Sequence, residues 1–231
     1  MPLLKNKMAH VWAIDYNKSK EWYVQCLAAL DEQQLKRCNH FKFEHDRKSY
    51  VISQGSLKLL LAAYLNIPVA DVRLGRHRKG KPFSMDNPAL EFNLSNSGTV
   101  CVMAFCPDSA LGIDLESIKA LPSSDYEDLI QRNFTDREKQ DILKHKEDQL
   151  RFFYQYWTMK EAYLKAIGEG MRLTPDQVEF SLEKGVPRLL SANGDTGTED
   201  WLFHCFVPSA KYIGTLAYTE GVKEVQYWQL Y

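Results

Sequence analysis

Apolar and polar positions follow two different periods along this chain, and these periods mark out helices and strands. Leu57, Leu60, Leu61 and Leu65 recur at helical spacing, which predicts a helix over residues 47–66. Further helices are predicted over residues 19–38, 125–148 and 149–167, and strands over residues 10–14, 90–94, 100–106, 112–116, 178–182, 201–207, 212–218 and 225–230.

The order of the predicted elements favours an α+β fold made of two halves. We place the junction near residue 111, so that one half covers residues 1–111 and the other residues 112–231. Within the second half, Thr135 and Glu138 have the spacing of a capping box, in which the two side chains satisfy backbone N–H groups at the start of a helix. A helix is therefore expected to begin at this point.

The charge of the chain restricts its partners. Its 29 Lys and Arg residues nearly balance 30 Asp and Glu residues, which leaves a formal net charge of −1. A chain of this kind lacks the global basic field that attracts nucleic acid. We therefore expect no nucleic-acid partner, and any phosphate-binding function must use a local basic patch.

The cysteine pattern indicates the cellular compartment. The number of cysteines is odd and none forms a C-x-x-C pair, which disfavours a disulfide framework or a zinc site; they are Cys26, Cys38, Cys101, Cys106 and Cys205. The first ten residues lack the apolar run of a signal peptide, and no stretch approaches the roughly 18 apolar residues of a membrane span. We expect a soluble, monomeric protein with reduced thiols in the cytoplasm.

Two carboxylates occupy alternate positions of the predicted strand over residues 112–116. Strand side chains alternate between faces, so Asp114 and Glu116 point to one side and Ile113 and Leu115 to the other. The two acidic residues lie about 7 Å apart at their Cα atoms, given a rise of about 3.3 Å per residue. Such a pair suits Mg²⁺, which typically takes one or two carboxylates together with phosphate and water. An ordinary solvated strand face would also produce this pattern.

The helix over residues 149–167 carries charged residues beside a broad apolar face. At about 100° per residue, its aromatic and aliphatic positions form a continuous arc through Trp157. Lys160 lies inside this arc, and Glu161 lies just outside it with Lys165 four residues further on. Because a buried ammonium is unfavourable without an anion, the pattern predicts a bound phosphate near Lys160, whose replacement by Met would then not destabilise the ligand-free protein. A surface Glu–Lys pair and a snorkelling lysine are the alternative.

The first half of the chain contains a basic loop and a polar turn. Six basic residues crowd around Gly75 and Gly80; they are Arg73, Arg76, His77, Arg78, Lys79 and Lys81. Such a loop can hold a polyphosphate through charge and free backbone N–H groups, although most charge runs are simply solvated. The turn Ser95-Asn96-Ser97-Gly98 offers hydroxyl and backbone donors, or it is a plain hairpin turn.

The wording and order of four motifs is more specific than any of these features alone. They are GKP at residues 80–82, FNLSNS at 92–97, GIDLE at 112–116 and WTMKEAYLKAIGEG at 157–170. Together they resemble the phosphopantetheinyl transferases of the Sfp/EntD type. The resemblance spans roughly residues 36–170.

This resemblance implies a pseudo-twofold pair of α/β halves with coenzyme A in the cleft between them. By motif position, Asp114, Glu116 and Glu161 correspond to the magnesium ligands of the family. Lys165 corresponds to the lysine beside the reacting phosphate. The residues that correspond to coenzyme A contacts are Arg37, Lys48, Lys81, Ser95, Asn96 and Lys160.

The reaction that the resemblance implies is a phosphoryl transfer. A serine of an apo acyl or peptidyl carrier protein attacks the β-phosphate of coenzyme A and receives the 4′-phosphopantetheine arm, while adenosine 3′,5′-bisphosphate leaves. Glu161, directly or through a bound water, is the candidate base for the serine, and Lys165 supports the charge of the transition state.

Two positions depart from the family pattern. Asn96 stands where the family usually has histidine, and Gln54 stands where many members have arginine. Each change removes a cationic contact from the expected nucleotide site. Two other functions stay open at this point: a non-catalytic module that binds coenzyme A or a carrier protein, and a Mg²⁺-dependent nuclease that uses the same carboxylates with the basic loop.

Overall fold

The computed structural model describes residues 2–17, 20–168, 173–195 and 200–230. Its α-helices are α1 (Lys20–Ala29), α2 (Glu32–Cys38), α3 (Glu44–Leu65), α4 (Ser123–Asn133), α5 (Asp136–Lys144) and α6 (Gln149–Ile167). Its strands are β1 (Met8–Asp15), β2 (Leu74–Arg76), β3 (Pro82–Ser84), β4 (Leu90–Ser97), β5 (Val100–Pro107), β6 (Leu111–Ser117), β7 (Val178–Glu183), β8 (Val186–Ala192), β9 (Trp201–Phe206), β10 (Tyr212–Thr219) and β11 (Glu224–Leu230).

The same succession of elements occurs twice. Strand β1 precedes helices that end with the long α3, and these are followed by the β2–β3 hairpin and the antiparallel pair β4–β5. Strand β6 likewise precedes helices that end with α6, followed by the β7–β8 hairpin and the pair β9–β10. The first strand of each unit pairs antiparallel with the last, so the strand orders are β1-β5-β4 and β6-β10-β9. This repeated topology confirms an α+β fold of two related halves.

The last strand connects the two halves. Strand β11 follows the second unit in sequence, yet it pairs in parallel with β1, in a register that places Met8 opposite Glu224. The sequence-based division assigned residues 224–230 to the second half. The pairing places them in the sheet of the first half instead.

Each long helix covers one face of its own sheet. Helix α3 packs through Ile52, Leu57 and Leu61 against aromatic residues of the first sheet, among them Phe92 and Phe105. The opposite faces of the two sheets share a second apolar cluster, which contains Val102 and Ala104 of β5 together with Ile113, Leu115 and Leu216 of the second sheet. Ile113 and Leu115 therefore share one face of β6, as the strand alternation predicted.

Several local predictions needed adjustment. The helix expected over residues 19–38 is two helices, because Asp31 begins α2 with a capping box of its own. The expected capping box at Thr135 is confirmed and starts α5. The basic loop contains the β2–β3 hairpin, and β4 runs on through Ser97, so the turn comprises only Gly98 and Thr99. None of the helices in the described part of the chain is long and apolar enough to cross a membrane.

Candidate active site

Strand β6 and helix α6 approach closely because residue 112 has no side chain. A Cβ atom at Gly112 would collide with the backbone of Ala162 and Ala166 on α6. The close contact places α6 on the face of β6 that carries Asp114 and Glu116. The acidic residues of β6 and the charged residues of α6, which are distant in sequence, therefore form one site.

Asp114 is the centre of this site. Its side chain is 5% exposed, and its Oδ1 atom accepts hydrogen bonds from Lys165 Nζ at 2.6 Å and from Ser95 Oγ at 2.9 Å. Its Oδ2 atom is buried and has no hydrogen-bond partner among the described residues. A buried carboxylate oxygen without a partner is unfavourable, which makes Oδ2 a natural ligand for a cation.

Glu116 and Glu161 complete a group of three carboxylates. Glu116 Oε2 accepts a hydrogen bond from Ser97 Oγ at 2.8 Å. Burial raises the pKa of the Glu161 carboxyl, and the negative charges of Asp114 and Glu116 raise it further against the opposing effect of Lys165. Burial also raises the pKa of Glu116, with the Asp114 charge adding to that effect and the Ser97 hydrogen bond opposing it.

The negative charges of these three carboxylates repel one another, but their side chains do not surround a common metal position. Within the described ranges, no group of three or more His, Cys, Asp or Glu side chains is arranged to hold a metal ion as it stands. Lys165 supplies the positive charge nearest to Asp114 instead. The chemistry of the site nevertheless fits a hard divalent cation, because the carboxylates repel one another and Asp114 Oδ2 lacks a donor.

A largely apolar cavity of about 610 Å³ opens beside Glu161 and Lys165. It is lined from the first half by Lys79, Lys81 and Asn93 and from the second half by Leu164, Gly168, Leu173, Thr174 and Pro175. The cavity therefore lies between the two halves. Its dimensions suit an extended ligand segment with few charges.

Lys81, which the resemblance implies to be a coenzyme A contact, uses its ammonium group for bonds within the protein. Its ammonium group donates to Glu91 Oε2 at 3.1 Å, to the Leu111 carbonyl at 3.1 Å and to the Ala166 carbonyl at 3.2 Å. An ammonium group has three donors, so all of them are used within the protein. Lys81 thus joins β4, β6 and α6, and its side chain lines the cavity without a free donor.

A second, polar cavity of about 700 Å³ lies in the first half. Arg37, Arg76, Asn96 and Gln54 are among its lining residues, and Asp46 is its acidic member. Lys48 lies on the same helix as Gln54, but it is not among the described residues that line this cavity. The structure thus places Arg37, Arg76 and Asn96 around one cavity and leaves Lys48 outside it.

A buried tyrosine fixes the orientation of the Asn96 side chain. The hydroxyl of Tyr16, a buried residue, donates to Asn96 Oδ1 at 2.6 Å, and Ser49 Oγ donates in turn to the Tyr16 hydroxyl at 3.3 Å. Burial raises the pKa of Tyr16, so its hydroxyl stays protonated. The amide group of Asn96 can therefore offer its N–H donors to the polar cavity.

Lys160 is buried as predicted, but the expectation that it contacts coenzyme A does not fit the structure. Its ammonium group lies 2.6 Å from Glu138 Oε2 and donates to the carbonyl groups of Pro175 and Val178 at 2.7 Å and 2.5 Å. Neither side chain of the Lys160–Glu138 pair is exposed to solvent. The anion that neutralises Lys160 is therefore the Glu138 carboxylate of α5, and not a bound phosphate.

Two family models match the chain. The 4′-phosphopantetheinyl transferase superfamily matches residues 110–217, and a model described as 4′-phosphopantetheinyl transferase, N-terminal, matches residues 14–108. The chain is also 33% identical to the 4′-phosphopantetheinyl transferase HetI of Nostoc sp. over 185 residues, which cover 78% of this chain and 77% of the relative. The chain belongs to the 4′-phosphopantetheinyl transferase superfamily.

Other members of the superfamily are similar over smaller shares of their length. The chain is 32% identical to the L-aminoadipate-semialdehyde dehydrogenase-phosphopantetheinyl transferase of Xenopus laevis, in a match that covers 70% of this chain and 57% of that protein. It is 26% identical to Sfp of Bacillus subtilis over 74% of this chain and 75% of the relative. Among solved structures, the holo-[acyl-carrier-protein] synthase of Thermotoga maritima is 26% identical, with a TM-score of 0.40, over 49% of this chain and 64% of that chain.

Three residues at the site of this transferase-family member were not predicted. Ser97 contacts Glu116, Tyr16 orients Asn96, and Glu138 neutralises Lys160. A signal was present only for Ser97, which lies two residues from Ser95 in a strand and so shares its face. Tyr16 and Glu138 come from distant parts of the chain, and no local pattern indicates their partners.

Proposed function

We propose that this chain transfers the 4′-phosphopantetheine group of coenzyme A to a serine of an apo acyl or peptidyl carrier protein and releases adenosine 3′,5′-bisphosphate. The convergence of Asp114, Glu116, Glu161 and Lys165 between the two halves, in a member of the phosphopantetheinyl transferase superfamily, supports this proposal. The names of the relatives support the same reaction.

Mg²⁺ is the cofactor that suits the three carboxylates. Asp114, through its unpartnered Oδ2, would hold the ion together with Glu116 and Glu161. When bound, the ion would neutralise negative charge on the pyrophosphate oxygens of coenzyme A. The raised pKa values of the two glutamates arise first from burial and then from the charges of neighbouring carboxylates, and a bound cation would offset both effects.

Glu161 is the best candidate for accepting the proton of the attacking serine. In the metal-free protein, burial raises the pKa of its carboxyl and the Asp114 charge raises it further, so that before the ion binds Glu161 holds a proton more readily than a solvated glutamate. Glu161 receives the proton directly or through a water that it orients. The serine oxygen then bonds to the β-phosphorus, and the bond from that phosphorus to the bridging oxygen breaks.

Lys165 is the candidate for stabilising the leaving phosphate. Its ammonium group already lies at the centre of the site, 2.6 Å from Asp114 Oδ1. A cation fixed before the reaction stabilises charge that develops during it, because no reorganisation is needed at that moment. Lys165 either balances the charge on the bridging oxygen or donates a proton to it.

The two cavities suit the two ends of coenzyme A. The polar cavity offers Arg37, Arg76 and the amide of Asn96, which are suitable donors for phosphate groups of the nucleotide. The apolar cavity beside Glu161 suits the pantetheine arm, which carries amides but no charge. The free thiols of the described cysteines suit a reducing compartment, and the cytoplasm is the location that we propose. A monomeric state remains part of the proposal.

Incubation with coenzyme A, Mg²⁺ and an apo carrier protein tests this proposal. Intact-mass spectrometry should show that the carrier gains one phosphopantetheine group, and that the gain disappears when a chelator removes the metal. A carrier whose mass never changes, although the protein binds coenzyme A, would contradict the proposal. That result would support the non-catalytic binding module, which the neutral Asn96 in the polar cavity favours.

A further inference from the structure

Strands β4 and β6 meet at the junction of the two halves, but they belong to different sheets. Side chains of β4 connect them instead of a backbone ladder. Asn93 Oδ1 accepts a hydrogen bond from the backbone N–H of Ile113 at 3.0 Å, and Ser97 Oγ accepts one from the backbone N–H of Ser117 at 2.9 Å. Polar residues of the first half thus contact the strand that carries the acidic residues of the second half.

Two of these contacts form a regular pair. Ser95 and Ser97 lie at alternate positions of β4, and Asp114 and Glu116 lie at alternate positions of β6. Ser95 Oγ donates to Asp114 Oδ1 at 2.9 Å, and Ser97 Oγ donates to Glu116 Oε2 at 2.8 Å. The period of two residues in both strands gives each carboxylate its own hydroxyl donor.

The other hydrogen bonds of both serine hydroxyls favour donation to the carboxylates. Ser95 Oγ accepts a hydrogen bond from Lys165 Nζ at 3.0 Å, and Ser97 Oγ accepts the bond from the Ser117 N–H. Each oxygen therefore receives one donor from the protein, which leaves its own proton for a carboxylate; for Ser97, the Glu116 oxygen at 2.8 Å is a closer acceptor than the Ser117 hydroxyl at 3.4 Å. The bond to Asp114 Oδ1 keeps the unpartnered Oδ2 atom of the same carboxylate in a defined direction.

We propose that Ser95 and Ser97 are positioning residues, which orient Asp114 and Glu116 for a divalent cation. This inference rests on the proposed magnesium-dependent function and gives Ser95 a role in holding the metal ligand in addition to the coenzyme A contact that the resemblance implies. The first half thereby contributes to the metal site without supplying a ligand. Partners that hold a metal ligand in this way typically change metal affinity by about 10–100-fold when they are removed.

The test measures binding of Mn²⁺, as a calorimetric probe for the magnesium site, to the intact chain in the presence of coenzyme A and the absence of a carrier protein. Ser95→Ala and Ser97→Ala should each raise the dissociation constant for Mn²⁺ by about 10-fold or more. Ser97→Thr keeps the hydroxyl and should retain the wild-type value. Ser56→Ala is the matched control, because Ser56 is a buried serine that bonds to Trp22 on the outer side of α3.

The outcomes separate this inference from the proposal on which it rests. If wild-type protein binds Mn²⁺ and the two alanine variants bind it equally well, the positioning role is overturned while the proposed function stands. If wild-type protein itself binds no divalent cation with coenzyme A, the magnesium-dependent function fails and the positioning role with it. Melting temperatures of all variants show whether any loss of binding comes from unfolding. If one of the alanine variants unfolds, the cysteine variant at the same position, Ser95→Cys or Ser97→Cys, replaces it, because a thiol is a poor donor; unweakened Mn²⁺ binding in that folded variant overturns the role of that serine.

Discussion

The ammonium group of Lys160 lies 2.6 Å from a carboxylate oxygen of Glu138, and both side chains are fully buried. Glu138 Oε1 also accepts the backbone N–H of Phe180 at 2.9 Å, while Lys160 donates to the carbonyl of Pro175, a residue that lines the apolar cavity. Burial raises the pKa of Glu138 and lowers that of Lys160, and each partner opposes the shift of the other. This pair therefore fixes one wall of the cavity that adjoins Glu161.

Replacing Lys160 by Met should destabilise the ligand-free protein. The change leaves the Glu138 carboxylate buried without its cation, which typically costs about 3–5 kcal/mol. Urea unfolding monitored by tryptophan fluorescence gives the free energy of unfolding. Lys36→Met is the control, because Lys36 forms only an exposed pair with Glu32. If Lys160→Met is as stable as wild type, the ion pair with Glu138 does not stabilise the fold, and Lys160 is a coenzyme A contact as the sequence predicted.

Replacing Glu161 by Gln should stabilise the metal-free protein at neutral pH. The pKa of Glu161 is raised by folding, so its favourable contribution is present below the unfolded value of about 4.3 and is lost as the pH rises through the folded value. At pH 7.5 the ionised carboxylate is therefore unfavourable, and the neutral amide removes that effect. Melting temperatures in chelator should be higher for the variant at pH 7.5, with the difference shrinking toward pH 4.5. A variant that melts below wild type at pH 7.5 would refute this assignment.

Replacing Asn96 by His should tighten coenzyme A binding. One ring nitrogen of neutral imidazole can accept from the Tyr16 hydroxyl, and in the protonated ring the same nitrogen can donate to the Tyr16 oxygen instead; in both forms the other N–H faces the polar cavity with Arg37 and Arg76. The gain should be larger below pH 6.5, where imidazole is mostly protonated. Calorimetric titration of coenzyme A at pH 6 and pH 8 measures it. Equal affinities of variant and wild type at both pH values would show that Asn96 does not face the nucleotide.

Replacing Gly112 by Ala should separate β6 from α6. The added methyl group collides with backbone atoms of Ala162 and Ala166, which cannot move as a flexible side chain can. Overpacking of this kind typically costs about 1–3 kcal/mol. It should also weaken metal binding, because Glu161 moves away from Asp114. Thermal melting and Mn²⁺ titration measure both effects. Unchanged melting and titration in Gly112→Ala would mean that the close approach does not build the site.

The sequence was informative wherever one element decides the outcome. Strand periodicity was sufficient to place Asp114 and Glu116 on one face, because a strand fixes its own alternation. Helical periodicity likewise showed that Lys160 is buried. Its partner could not be predicted, because Glu138 lies on a different helix and only packing brings the two together. The carboxylate partners of Ser95 and Ser97 could not be predicted for the same reason, since the contact between β4 and β6 depends on how the two halves meet.

The central claim is that Asp114 belongs to the metal site of a transferase, and one measurement tests it most directly. Wild-type protein, Asp114→Ala and the exposed control Glu220→Ala are each incubated with coenzyme A, an apo carrier protein and limiting Mg²⁺, and the intact mass of the carrier is followed with time. We predict that the carrier gains one phosphopantetheine group with wild type and with Glu220→Ala, and that Asp114→Ala transfers none while it retains the circular dichroism spectrum of the folded protein. Transfer by folded Asp114→Ala at a rate near that of wild type would contradict the account.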